Sequence, residues 1–179
     1  MNAPLLVALL SACSLAATPA VAEPSIKDLD ALTGTWEFYD EATELAGFEY
    51  REEGTQTCRY ALDDSFIRCD GTGTARGKTR HFTMYINYNR FKGTFEMVGL
   101  FGNFPEKSFF TIKPSEDLTK LELFGRRMNQ RDGSTTQNYG VITFTDANSF
   151  TWETRVNKST EPLNHWPLRF TGEYNKVAD

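Results

Sequence analysis

From residue 34 onward the chain is built of short runs in which apolar and polar residues alternate with a period of two. These runs are rich in Phe, Tyr, Thr, Val and Ile, and turn residues divide them. The pattern predicts ten strands: 34–40, 49–62, 65–75, 78–88, 91–101, 108–114, 120–126, 137–145, 150–156 and 166–174. Arg76-Gly77, Asn89-Arg90, Pro114-Ser115-Glu116-Asp117 and Asp146-Ala147-Asn148 suit hairpin turns. Two connections are longer, Gly102 to Lys107 and Arg127 to Ser134. Before the first strand, Ser25 to Leu32 suits one short helix, capped by Ser25 with Asp28 three positions on.

Two hairpins fix a register. About Asp63-Asp64, Leu62 faces Ser65, Tyr60 faces Ile67, and Cys58 faces Cys69. One face then collects Cys58, Tyr60, Leu62, Ile67 and Cys69, while Arg59 and Arg68 fall on the other. The two sulfurs come within bonding reach, so a Cys58–Cys69 disulfide is expected. A two-residue turn makes this a hydrogen-bonded pair, an awkward site for a bridge; a longer turn about the same centre removes the conflict. About Asn89-Arg90, Met84 faces Phe95 and Phe82 faces Met97, giving a face of Phe82, Met84, Ile86, Tyr88, Phe95 and Met97. The reverse face carries His81, Thr83, Asn87, Lys92 and Glu96. Exposing the first set would leave a patch too large for a soluble monomer, so it is expected inside. Consecutive hairpins with one apolar face predict an all-β antiparallel meander. Eight to ten strands are too many for one flat sheet in so small a domain, so the meander is expected to close into a barrel, with a two-sheet sandwich as the alternative.

Composition adds a compartment. The first 22 residues carry no charged side chain, and Leu5 to Ala17 is an apolar run of secretory length. Ala20-Val21-Ala22 follows as a small-x-small cleavage signal. Residues 1–22 are therefore expected to be a signal peptide and 23–179 one domain. Leu10-Ser11-Ala12-Cys13 offers an alternative, a lipoprotein anchored through Cys13. The run is too short for a transmembrane span. Cleavage after Ala22 leaves Cys58 and Cys69 as the remaining cysteines, an even pair that favours a disulfide in an exported protein over two free thiols. The net charge of −5 argues against nucleic acid and anionic membrane surfaces as partners.

Leu32-Thr33-Gly34-Thr35-Trp36, opening the first strand after a short helix, resembles the G-x-W start of lipocalins. With Leu62-Asp63-Asp64-Ser65-Phe66 and the Thr143 to Glu153 hairpin, the order is similar to small lipocalin-like bacterial barrels of unknown function. The resemblance implies a calycin-type barrel and no particular activity. It also implies that Trp36 packs at the closed end, against an arginine of the last strand, for which Arg169 is the candidate; Trp36 as plain core filler is the other reading.

Candidate chemistry is sparse. His81 and Glu96 form the best acid/base pair if their polar face lines a wet cavity, with Tyr88 as a further candidate; otherwise His81 is an ordinary exposed residue. His165 suits a loop. No metal or cofactor motif is present: two separated histidines without a nearby cysteine make no zinc or haem site. Gly71-Thr72-Gly73-Thr74 lies along a strand and suits close packing, not phosphate. Arg126, Arg127 and Arg131 suit either a solvated turn or an anion-recognising rim at the barrel mouth. Phe101 and Phe104 in a glycine-hinged loop suit a lid or a plug. A barrel of this size is wide enough for a small ligand. Tyr60, Phe82, Met84, Tyr88, Phe95, Met97, Phe101 and Phe104 are its candidate lining.

Three functions compete. The leading one is a non-enzymatic periplasmic or secreted barrel that binds a small, largely apolar molecule. The second is an enzyme acting in the same cavity, and the third a structural or partner-binding envelope protein with a filled barrel. A polar-lined cavity favours the second and a packed interior the third.

Overall fold

The computed structural model describes residues 23–102, 106–157 and 163–177. Ten antiparallel strands form a closed barrel: Gly34–Ala42 (β1), Arg51–Ala61 (β2), Phe66–Ala75 (β3), Lys78–Asn89 (β4), Thr94–Phe101 (β5), Glu106–Pro114 (β6), Lys120–Asn129 (β7), Thr135–Asp146 (β8), Ser149–Val156 (β9) and Leu168–Lys176 (β10). Each strand pairs with its sequence neighbours, and β1 pairs with β10 to close the ring. Closure removes the free edges that an open ten-stranded meander would leave.

Before β1, Ile26–Leu32 forms a 3-10 helix with the expected capping box: the Lys27 amide donates to the Ser25 hydroxyl and the Ser25 amide to Asp28. Its apolar residues Ile26, Leu29 and Leu32 are buried on the barrel end where β1 begins. Tyr60 donates to Asp30 there, and Lys27 pairs with Asp64. Trp36 is fully buried at this end and donates its indole N–H to the Leu32 carbonyl at 3.0 Å. Phe150 meets it edge-on at 4.7 Å, and Tyr174 stacks on Phe150 at 4.4 Å. Ile67, Ile112, Leu121 and Leu123 complete a packed floor. The lysine ammonium of Lys176, not Arg169, stands over Trp36, 5.4 Å from its ring. Arg169 sits at the other end of β10, because Trp36 pairs with Lys176 across β1 and β10.

The Cys58–Cys69 disulfide joins β2 to β3 in the expected register. The connecting turn, Leu62 to Ser65, holds three consecutive positive-φ residues. This four-residue loop leaves the cysteines as a close pair, 4.0 Å apart at Cα, the spacing of non-hydrogen-bonded partners. The bridge points to an oxidising compartment.

The β4–β5 register differs from the expected one. Phe82 pairs with Phe101, Met84 with Gly99, Ile86 with Met97 and Tyr88 with Phe95. The cause is the turn. It spans Arg90 to Gly93, with Gly93 at φ 63° and the Asn89 side chain accepting from the Phe91 and Lys92 amides. The slip is an even number of residues, so each side chain keeps its face. Phe82, Met84, Ile86, Phe95 and Met97 are accordingly buried inside.

Among the described residues no helix is long and apolar enough to cross a membrane.

Candidate functional site

At the end opposite the 3-10 helix the interior does not fill. A cavity of about 460 Å³ opens there, bounded by the upper halves of the strands and the loop between β1 and β2. Its size falls in the range of small-molecule sites. The walls carry aromatic rings, Phe82, Phe101, Trp152 and Phe170, with Phe48 and Tyr50 at the lip, among polar residues that include Asn129, Ser134, Thr136, Thr154 and Thr171. Phe82 stacks on Phe101 at 5.8 Å, and Phe170 packs against Phe48 and Tyr50 at about 6 Å. Leu45 and Phe48 project from the lip, both more than half exposed.

Strict alternation also carries charges inward. Asp40 follows Trp36 and Phe38 on the same face of β1; Glu52 shares a face with Cys58; Arg80 with Phe82; Arg127 with Leu121 and Leu123. Glu52 is 1% exposed, and both its oxygens accept from Arg80, at 2.6 Å for Nε and at a shorter contact for Nη2. Tyr50 donates to the same carboxylate at 2.8 Å. The Arg80 guanidinium lies 5.3 Å from both the Phe82 and Phe101 rings. A buried ion pair is tolerable only with this degree of satisfaction. Two glycines make room. A Cβ at Gly73 would collide with Glu52 Oε1, and one at Gly172 with Asp40 Oδ1.

Asp40 has no guanidinium on it. Tyr174 donates to it at 3.4 Å, a weak bond. Burial raises its carboxyl to a pKa of about 7, helped by the negative Glu52 and opposed by Arg80, Tyr174 and Arg127. Burial likewise lowers Arg127 from the usual arginine value, with Glu106 as its nearest compensating charge. The Arg127 Nε lies 3.5 Å from a Glu106 oxygen, outside hydrogen-bond geometry. Deeper in, Gln56 and Asn138 are buried polar residues of the lining, 4% and 2% exposed.

Of the sequence-derived lining, Phe82, Met84 and Phe101 bound the cavity. Tyr60, Tyr88, Phe95 and Met97 point inward too, but into the packed half. Phe104 lies outside the described residues. The acid/base candidates are not brought together. His81 is exposed on the outer wall and bonds Thr72. Glu96 lies on the same outer wall but pairs with Asn87 across the strands, and it is bonded by Lys92 and Asn89, which hold its carboxyl below the usual range. Tyr88 packs on Phe95 at 5.0 Å near the closed end. Of the three arginines, Arg127 enters the cavity while Arg126 lies over Phe109 outside.

Asp40, Glu52, Arg80, Tyr50 and Tyr174 were not among the candidates from sequence; Arg127 was, as part of an anion-recognising rim. The signal was present: extending each apolar face by two to six residues toward the open end reaches all four charges.

The fold is similar to solved β-barrels. The S-type phycobiliprotein lyase CPES from Guillardia theta is 10% identical over 87% of this chain and 93% of its own, with a TM-score of 0.53. A redesigned β-barrel, b11L5F_LGL, is 9% identical over 83% of this chain and 94% of its own, with a TM-score of 0.45. EF1p2_mFAP2b, solved bound to DFHBI, is 13% identical over 84% and 97%, with a TM-score of 0.43. At these identities the likeness is one of fold. No curated protein matches the sequence. A family model described as "Protein of unknown function (DUF1579)" matches residues 23–175. With that match spanning most of its length, the chain belongs to the DUF1579 family.

Proposed function

We propose that this protein is an exported, lipocalin-like barrel that binds a small, largely apolar molecule in its open half. The observation that carries this reading is the aromatic cavity of about 460 Å³ above a solid floor. Phe82, Met84 and Phe101 are its apolar contacts, and the Leu32 to Trp36 opening supports the lipocalin-like assignment. The disulfide and the uncharged apolar run before Glu23 support export, with residues 1–22 removed. A filled structural barrel is less well supported, because the upper interior is open.

The test uses the neutral dye N-phenylnaphthylamine. Saturable uptake with energy transfer from tryptophan is expected, since Trp152 lines the cavity. Met84→Trp should leave the barrel folded by circular dichroism and abolish uptake. If the wild type takes up no dye and Met84→Trp unfolds by overpacking, the interior is solid and the reading fails.

One observation favours a second reading, catalysis in the cavity. Asp40 is a carboxyl poised to exchange a proton near neutrality inside the pocket. Turnover of a bound molecule that Asp40→Asn eliminates, with binding intact, would establish it.

A further inference from the structure

We propose that the molecule bound in this cavity is an acid, an apolar body carrying one carboxylate, and that Arg127 receives that carboxylate. The inference rests on the cavity being a ligand site and goes further by naming the head group.

The two inward arginines differ. Arg80 is spoken for, since Glu52 takes both its Nε and its Nη2. Arg127 has five N–H donors and makes no hydrogen bond among the described residues. Its Nε is buried, while the side chain as a whole is 31% exposed and lines the cavity. Leaving a buried donor of a charged group unmet costs more than leaving one of a neutral group unmet. A second observation points the same way. Ser108 pairs with Arg127 across β6 and β7, is 1% exposed, and its hydroxyl has no partner. A guanidinium fork with an idle hydroxyl beside it suits a planar carboxylate, which takes two parallel N–H bonds. The aromatic walls suit the apolar body.

Glu106 is the built-in competitor. It stands toward the mouth, 24% exposed, with its carboxylate 3.5 Å from Arg127 Nε. An incoming carboxylate displaces it toward solvent. This predicts a sign that a merely structural arginine would not give: removing the Glu106 charge strengthens binding of an acid.

The probes are pyrenebutyric acid and its methyl ester, which share a body and differ in charge, followed by energy transfer from tryptophan. In the wild type the acid should bind about tenfold more tightly than the ester, as a bidentate charged contact warrants. Arg127→Gln should erase that ratio and leave ester affinity within about twofold, with Arg127→Lys intermediate. Glu106→Gln should tighten the acid alone. Circular dichroism and melting curves report whether each variant folds, and Glu106→Gln carries the test if Arg127→Gln does not. Equal binding of acid and ester in the wild type, or a ratio indifferent to both substitutions, overturns the proposal and leaves the cavity reading standing. If neither probe binds, the cavity reading falls and the proposal with it.

Discussion

Asp40 is the residue whose environment most shapes the pH behaviour of the molecule. Its carboxyl rises from 3.8 to about 7 because burial disfavours the charge and Glu52 adds to that, against Arg80, Tyr174 and Arg127. The folded state therefore holds a proton that the unfolded state has released between those values. Stability attributable to Asp40 is full below about pH 4 and is lost as pH rises through 7. The loss is on the order of 4 kcal/mol. Asp40→Asn should flatten the melting temperature between pH 5 and 8 and make the variant the more stable protein at pH 8. A wild-type profile that rises across that window would contradict this. Gly73 gives a second prediction. Gly73→Ala drives a Cβ into the Glu52 carboxylate that Arg80 holds, so it should cost several kcal/mol by urea unfolding, whereas Gly77→Ala, with nothing within 4 Å, should cost only the conformational penalty of its positive φ, about 1 kcal/mol. The close packing at Gly73 was legible in the sequence, but the inward Asp40 and Glu52 were not, because polar residues were assigned outward by hairpin. Alternation places a side chain inside whatever its polarity; Glu52 is tolerated there because Arg80 and Tyr50 satisfy it, and Asp40 because it can hold a proton.

Elements were easier to read than sites. All ten strands appear where the alternation put them, with ends shifted by a few residues, and the capping box at Ser25 holds. What the pattern did not determine was turn length. The symmetry about Asp63-Asp64 survived because its longer turn keeps the same centre, so Cys58 still meets Cys69. The β4–β5 turn is longer on one side only, which moved Phe82 from Met97 to Phe101. That slip carried Phe101 to the cavity wall beside Phe82 and parted Glu96 from Thr83 and His81. The disulfide closes a short loop and should contribute about 2–3 kcal/mol. Replacing both cysteines with serine should lower urea stability by that amount without altering the far-ultraviolet spectrum; non-reducing peptide mapping that finds two free thiols would remove the basis for the effect.

At the scale of the molecule the barrel is two halves with different duties. The half under the 3-10 helix is solid, from Trp36 and Phe150 to Leu121 and Leu123. The open half keeps aromatic walls, a paired Glu52–Arg80, and an Arg127 with donors to spare. The proposed export predicts that N-terminal sequencing finds Glu23 first. A start at lipid-modified Cys13 would replace this with a membrane-anchored form, and an intact Met1 would reject export.

The division between halves is the central claim, and two methionines on neighbouring strands report it. Met84 lines the cavity, while Met97 is 3% exposed in the packed half. The measurement is a spectrum of the protein labelled at its methionine methyl groups, titrated with N-phenylnaphthylamine. The account predicts that the Met84 resonance shifts and saturates while that of Met97 stays in place. Two resonances that both move, or both stay fixed, would contradict it.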